Sequence, residues 1–301
     1  MTQPLFPVVA ALAAKAEKSL LAADIAPLGG GVLDPRGPVG AGNAQILVNA
    51  LGIMLAIVVP TLLATLAFAW WFRASNKKAV YRPDWAYSGR LELIVWGIPL
   101  LVILFLGGVT WIGSYELDPA RPLAAPTKSL EIQVVSLDWK WLFIYPDEGV
   151  ASVNEVAAPT DRPMHFSLTS GAVMNMFFVP QLGSMIATMN GMVTQLNLKA
   201  DHPGDYYGQS AQFSGRGFSD MRFVLRAVVP ESFEQWVDKA RKSPMRLDEE
   251  AYRALAREKA ASPPLLYGSI DPDLFGKIAA RELVVEDGEA RATSAQSRTM
   301  E

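Results

Sequence analysis

The 301-residue sequence contains no cysteine and only two histidines, His165 and His202. The first absence removes disulfides, thiolate metal centres and cysteine nucleophiles. The second leaves few of the imidazole or soft donors on which most transition-metal sites depend. Charge is scarce as well: 19% of residues are charged and the formal net charge is -3, so nothing here recommends a nucleic-acid partner. No Gly-rich phosphate loop, no nucleophile beside a base and no paired carboxylates stand out, so no catalytic residue is expected on this chain. What the sequence does have is apolar surface. Half of its residues are hydrophobic and its mean hydropathy is +0.19, which points to membrane segments. The length suits one or two domains with a substantial core.

Two uncharged runs carry most of that hydropathy, one between residues 37 and 72 and one between 93 and 115. Each exceeds the ~20 residues a helix needs to cross a bilayer. The expectation is a transmembrane hairpin over 44–116, with helices at about 45–72 and 93–115 and a connector at 73–92. Pro60 and Pro99 interrupt the runs, which membrane helices tolerate. Trp70, Trp71, Trp96 and Trp111 lie near their ends, where amphipathic rings favour the interface. The connector holds Arg73, Lys77, Lys78, Arg82 and Arg90 against Asp84 and Glu92, so the positive-inside rule places it in the cytoplasm. Both chain ends then lie outside, in the periplasm of a Gram-negative cell. Residues 1–43 form an N-terminal segment with a short apolar core, "LFPVVAALAA", but no basic residue precedes Lys15 as a signal peptide would require.

From Leu130 the period changes to two. "LEIQVVS", "MHFSLTS", "VTQLNL" and "MRFVLRAVV" read as short strands between Pro, Gly and Asn turns, and predict a β-sandwich or barrel over 117–229. In "DWKWLFIY", Trp139, Trp141, Phe143 and Tyr145 are expected on one face of a strand. Helical spacing returns over 230–285. "ESFEQWVDKARKS" puts Phe233, Trp236, Val237 and Ala240 on one face, and a second helix is expected near 248–260. The polar tail at 286–301 is expected to be disordered.

The loop "SAQFSGRGFSDM", residues 210–221, has the frame of a metal loop without the ligands. Together with the hairpin, "DWKW" and "VPQLGS" in that order, it resembles subunit II of the haem–copper respiratory oxidases over roughly residues 33–280. In the cytochrome c-oxidising members, a cupredoxin sandwich holds a dinuclear copper in a loop reading Cys-Ser-Glu-Ile-Cys-Gly-x-x-His-x-x-Met, with a further His before a Val-Pro. Matched residue by residue, the thiolate positions are Ser210 and Ser214, the bridging Glu is Gln212 and the loop His is Phe218. The upstream His, four residues before Val179, is Asn175, and only Met221 is retained. Serine hydroxyls ionise far above thiols and do not bridge copper at neutral pH. No metal is therefore expected on this chain.

Loss of this copper marks the quinol-oxidising members of that family, and "RASNKKAVYRPDW", "SLDWKWLFIYPDEGVASVNE" and "FSGRGFSDMRF" resemble the ubiquinol (cytochrome bo type) branch. "VLDPRGPVG" resembles that branch too, where it follows a lipid-modified Cys that this sequence does not contain. The resemblance implies a non-catalytic subunit of an inner-membrane, proton-pumping ubiquinol oxidase. Haems and copper would belong to subunit I, ubiquinol would be the substrate of the complex, and subunits I, III and IV and membrane lipid would be the partners, with no role for cytochrome c. It also places Glu92 at the mouth of a proton-uptake path. Trp139 matches the residue that receives electrons from cytochrome c; with no acceptor behind it, an aromatic core residue is the simpler reading. His165 and His202 read as structural or solvated, and Arg222 and Arg226 as the polar face of the strand after the loop, from which either could contact subunit I. Two other readings are open at this point: a cytochrome c oxidase subunit with a remodelled electron-receiving site, and a free-standing membrane-anchored adaptor of cupredoxin type.

Overall fold

The computed structural model describes residues 31–80, 82–260 and 262–283. The "LFPVVAALAA" core and the polar tail from 286 lie outside the described residues. The described residues divide into a helical unit, Gly42–Asp118, and a second unit that takes those from 31 to Ala41 and those from Pro119 to 283.

The helical unit is made by α1 (Pro38–Trp71) and α2 (Gly89–Glu116). Both are long and apolar enough to span a bilayer, and their apolar windows bury nothing within the chain. Thr61 and Thr65 fold their hydroxyls back onto the carbonyls of Ile57 and Thr61, at 2.8 Å each, so the segment around Pro60 carries its polar groups internally. Near one end the two helices approach closely: a Cβ on Gly113 would run into the Ile46 side chain. α1 starts at Pro38, earlier than the sequence reading of about 45. Its first turns are small and polar, outside the apolar pattern, and Pro at the first helical position is pre-set for the helix. α2 starts at Gly89 instead of 93, because its first turn carries Arg90 and Glu92.

The second unit is a two-sheet sandwich. Its strands are β1 (Leu130–Leu137), β2 (Lys140–Tyr145), β3 (Val150–Val153), β4 (Glu155–Pro159), β5 (Met164–Ser170), β6 (Asn175–Phe178), β7 (Ile186–Thr188), β8 (Thr194–Leu198), β9 (Gly204–Ser210) and β10 (Arg222–Val228). After them come α3 (Pro230–Arg241), β11 (Arg246–Leu247), α4 (Glu249–Arg257), β12 (Leu265–Tyr267), β13 (Ser269–Ile270) and α5 (Leu274–Ala279). One sheet runs β12-β3-β2-β1-β5-β8 and the other β4-β10-β9-β6-β7, while β11 and β13 pair apart. Three pairings among the described residues are parallel: β1 with β5, β10 with β4 and β11 with β13.

Strand β2 explains why the domain needs its C-terminal arm. All six of its residues are buried. The odd ones, Trp141, Phe143 and Tyr145, point into the sandwich core with Phe166, Phe177 and Phe223. Phe177 and Phe223 stack at 4.9 Å, and Trp141 meets Phe177 edge-on at 5.4 Å. Each such ring contributes about 1.5–3 kcal/mol by leaving water. The even ones, Leu142 and Ile144, join a second core under Tyr252, Leu255, Phe275 and Ile278 of the arm. Trp139 departs from the expected stripe. It occupies the tight turn between β1 and β2 with φ of 63°, a left-handed conformation that a strand residue cannot hold.

Helix α3 buries the four residues expected, Phe233, Trp236, Val237 and Ala240, against the sandwich core. α4 is shorter than 248–260. Asp248 caps it by accepting the Ala251 N–H at 2.9 Å, and it ends at Arg257, where Glu258 turns to extended backbone ahead of Pro263 and Pro264. The sequence reading did not anticipate β11, β12 and β13, which are too short to show a period.

Candidate functional site

Strand β9 ends at Ser210, the loop follows, a 3-10 turn spans Phe218–Asp220, and β10 returns from Arg222. β6 lies on the other side of β9, with Phe177 opposite Ser210. This geometry gathers the ends of three strands. The Ser210 N–H donates to the Met221 carbonyl at 3.2 Å, and the Ala211 N–H to that of Met176 at 3.0 Å.

Within that frame, Asn175 and Ser210 are brought together. Both are buried, and Ser210 Oγ donates to Asn175 Oδ1 at 3.0 Å. Asn175 Nδ2 donates to the Val173 carbonyl at 3.2 Å, and Thr188 Oγ1 donates to the Asn175 carbonyl, also at 3.2 Å. Met221 is buried in the sandwich core, so its thioether is a packing group. Phe218 leans on Phe213 with ring centroids 5.7 Å apart, and Phe213 is 73% exposed. Gln212 is exposed. Ser214 Oγ is buried and makes no hydrogen bond with any described residue.

Trp139 closes over this loop. A Cβ on Gly217 would run into its ring, and one on Gly215, itself at φ of 118°, would touch it at 3.5 Å. The loop glycines are thus there to admit an indole. The Trp139 ring nitrogen is buried and has no hydrogen-bond partner among the described residues.

These residues do not suit a dinuclear copper. Two neutral hydroxyls, a carboxamide and a phenyl ring stand at the positions the resemblance assigns to thiolates and imidazoles, and the soft donor among them, Met221, lies in the core. Among the described residues, no group of three or more His, Cys, Asp or Glu gathers that could hold a metal ion.

The remaining sequence candidates lie elsewhere. Glu92 is exposed in the first turn of α2, its N–H donating to the Ser88 carbonyl at 3.0 Å. His165 on β5 meets Asn197 Oδ1 through Nδ1 at 2.9 Å, while His202 is exposed in the turn before β9. Arg226 pairs with Asp205 at 3.1 Å and with Glu155 at 3.4 Å, on the polar face of β10 as expected.

One residue escaped sequence reasoning. Lys140 is fully buried, its Nζ donating to the Leu255 carbonyl at 3.0 Å and to Glu258 at 3.2 Å, and so joining β2 to the arm. The signal was available in "WKWLFIY", where Lys140, Leu142 and Ile144 alternate with the aromatics. Two apolar neighbours on the face opposite the stripe mean that face is covered too.

Residues 146–228 match the family of the cytochrome c oxidase subunit II periplasmic domain, and residues 241–281 match the COX aromatic rich motif. Ubiquinol oxidase subunit 2 of Acetobacter aceti is 48% identical over 252 residues, covering 83% of this chain and 82% of that one. Cytochrome bo(3) ubiquinol oxidase subunit 2 of Pseudomonas aeruginosa is 47% identical over 247 residues, 82% of this chain and 75% of the other. Among solved structures, the periplasmic domain of subunit II of cytochrome oxidase from Bradyrhizobium japonicum is 27% identical. It covers 40% of this chain and 98% of its own, with a TM-score of 0.37. By its identity to the Acetobacter and Pseudomonas relatives and its coverage of them, the chain, with two apolar helices, a cupredoxin-like sandwich and a helical C-terminal arm, belongs to the subunit II family of the quinol oxidases, within the cytochrome c oxidase subunit II superfamily.

Proposed function

We propose that this chain is the non-catalytic subunit II of a proton-pumping ubiquinol oxidase of the bacterial inner membrane. The observation that carries the reading is the Ser210–Asn175 hydrogen bond, in which two positions matched to copper ligands satisfy each other. A water-soluble electron donor needs an acceptor in the domain it touches. Quinol is lipid-soluble and delivers its electrons within the membrane, to a haem-bearing subunit I, and requires no redox group on this chain. The 48% and 47% identity to proteins named ubiquinol oxidase subunit 2 supports the same choice.

In this account α1 and α2 pack on subunit I, and subunits III and IV complete a complex that oxidises ubiquinol, reduces oxygen to water and moves protons outward. Haems and copper belong to subunit I. The connector between α1 and α2 faces the cytoplasm, because it carries the basic excess. Glu92 then stands at the cytoplasmic start of α2. A carboxylate there is favoured by the helix dipole, and it can gather protons and pass them to a buried chain.

Metal analysis separates this reading from that of a remodelled cytochrome c oxidase subunit. The full purified chain, incubated with Cu(II) and dialysed, retains no copper on our account. A retained dinuclear copper centre contradicts it.

A further inference from the structure

The connector between α1 and α2 offers a charge pattern that the proposed function does not use. Arg73 is engaged locally: its guanidinium lies 4.8 Å over the Trp70 ring and donates to the Trp70 carbonyl at 2.9 Å. Lys77, Lys78, Arg82 and Arg90 are exposed and form no ion pair with any described residue. The two carboxylates of the connector do not neutralise them. Glu92 is two residues from Arg90 on α2, a spacing at which helix side chains do not face each other. Asp84 also forms no ion pair with a described residue.

The apolar surroundings fix where these cations sit. The apolar part of α1, residues 46–71, spans more than the ~30 Å of a hydrocarbon core at 1.5 Å per residue. Its end at Trp70 and Trp71 therefore reaches the headgroup layer, where indoles prefer to lie. Trp85, 61% exposed, and Tyr87, 72% exposed, bring further interface-seeking rings into the connector itself. Unpaired cations held by aromatic anchors at headgroup depth are the arrangement that attracts anionic lipid, at about 1 kcal/mol, or fivefold, per basic residue.

We propose that the connector is a binding site for the phosphate headgroups of anionic phospholipids, with Lys77, Lys78, Arg82 and Arg90 as its cations and Trp85 and Tyr87 seated beside them in the interface. The inference rests on the membrane reading above and deepens it by naming the lipid class.

The test uses the full chain. Carbonate-washed membranes are checked first for retention of the wild type and of the Lys77→Gln/Lys78→Gln double variant, which keeps Arg73, Arg82 and Arg90 to hold the orientation. Both are then exchanged into mixed micelles of detergent with equal phosphatidylglycerol and phosphatidylcholine, and the lipid that co-purifies is measured by mass spectrometry. The wild type should be enriched in phosphatidylglycerol. The double variant should lose about fivefold of that enrichment per lysine removed, and Lys77→Arg/Lys78→Arg should keep it. Release by carbonate would overturn the membrane reading and this site with it. Retention without phosphatidylglycerol enrichment, or equal enrichment in the Gln variant, would overturn the headgroup site alone, as would a connector covered by a partner protein.

Discussion

Ser210 on β9 and Asn175 on β6 hydrogen-bond to each other, Oγ to Oδ1 at 3.0 Å, with both side chains buried. Two residues that the family resemblance matches to copper-ligand positions here bond to each other between neighbouring strands. Ser210→Ala leaves the Asn175 oxygen buried without that donor, and should destabilise the domain by about 1–2 kcal/mol. Thermal unfolding of the full chain in detergent measures this. An unchanged midpoint would mean that the contact contributes nothing.

Lys140 should tether the arm more by filling space than by charge. Its Nζ bonds the Leu255 carbonyl and a Glu258 side chain that is 58% exposed. Lys140→Ala opens a cavity and removes both bonds, and should cost about 2–4 kcal/mol. Lys140→Met keeps the volume without the charge and should cost less than about 1.5 kcal/mol. Limited proteolysis should cut the arm near α4 faster in the Ala variant and at nearly the wild-type rate in the Met variant. Equal cutting of the two would assign the tether to charge.

The architecture was largely legible because membrane spans and half-buried strands write their period into the sequence. The charge-free runs gave α1 and α2, and alternation gave β1, β5, β8 and β10. The start of α1 at Pro38 and the turn at Trp139 were not legible, since neither is marked by hydrophobic period. Asn175 and Ser210, 35 positions apart, could be associated only through the family's ligand spacing. The packing of Trp139 on Gly215 and Gly217 had no sequence signal beyond the glycines themselves. Burial of Lys140 has a local signal in the apolar face it shares with Leu142 and Ile144, but its partners do not, because the arm that covers it lies more than a hundred residues further on.

Alkali should loosen the arm. Burial pushes the Tyr252 hydroxyl up to about 12 from its ordinary 10.0. Below pH 10 both folded and unfolded states keep the proton. Between pH 10 and 12 the unfolded chain ionises first, so stability falls by up to about 3 kcal/mol. Denaturant midpoints measured from pH 8 to 12 should decline more steeply in the wild type than in Tyr252→Phe. Parallel declines would show that this tyrosine does not set the alkaline limit.

Glu92→Gln keeps the shape of the first turn of α2 but cannot carry a proton. Turnover of the assembled oxidase should fall roughly tenfold, with haem content and subunit composition normal. Unchanged turnover would remove Glu92 from the proton path while leaving the rest of the account intact.

The central claim is that electrons bypass this domain. It is tested most directly by tagging the C-terminus, purifying the complex in mild detergent, and measuring oxygen uptake with ubiquinol and, separately, with reduced cytochrome c. The account predicts uptake with ubiquinol and none with cytochrome c. Uptake driven by cytochrome c would contradict it, because electrons would then pass through a domain whose Ser210, Ser214, Asn175 and Phe218 offer no metal to receive them.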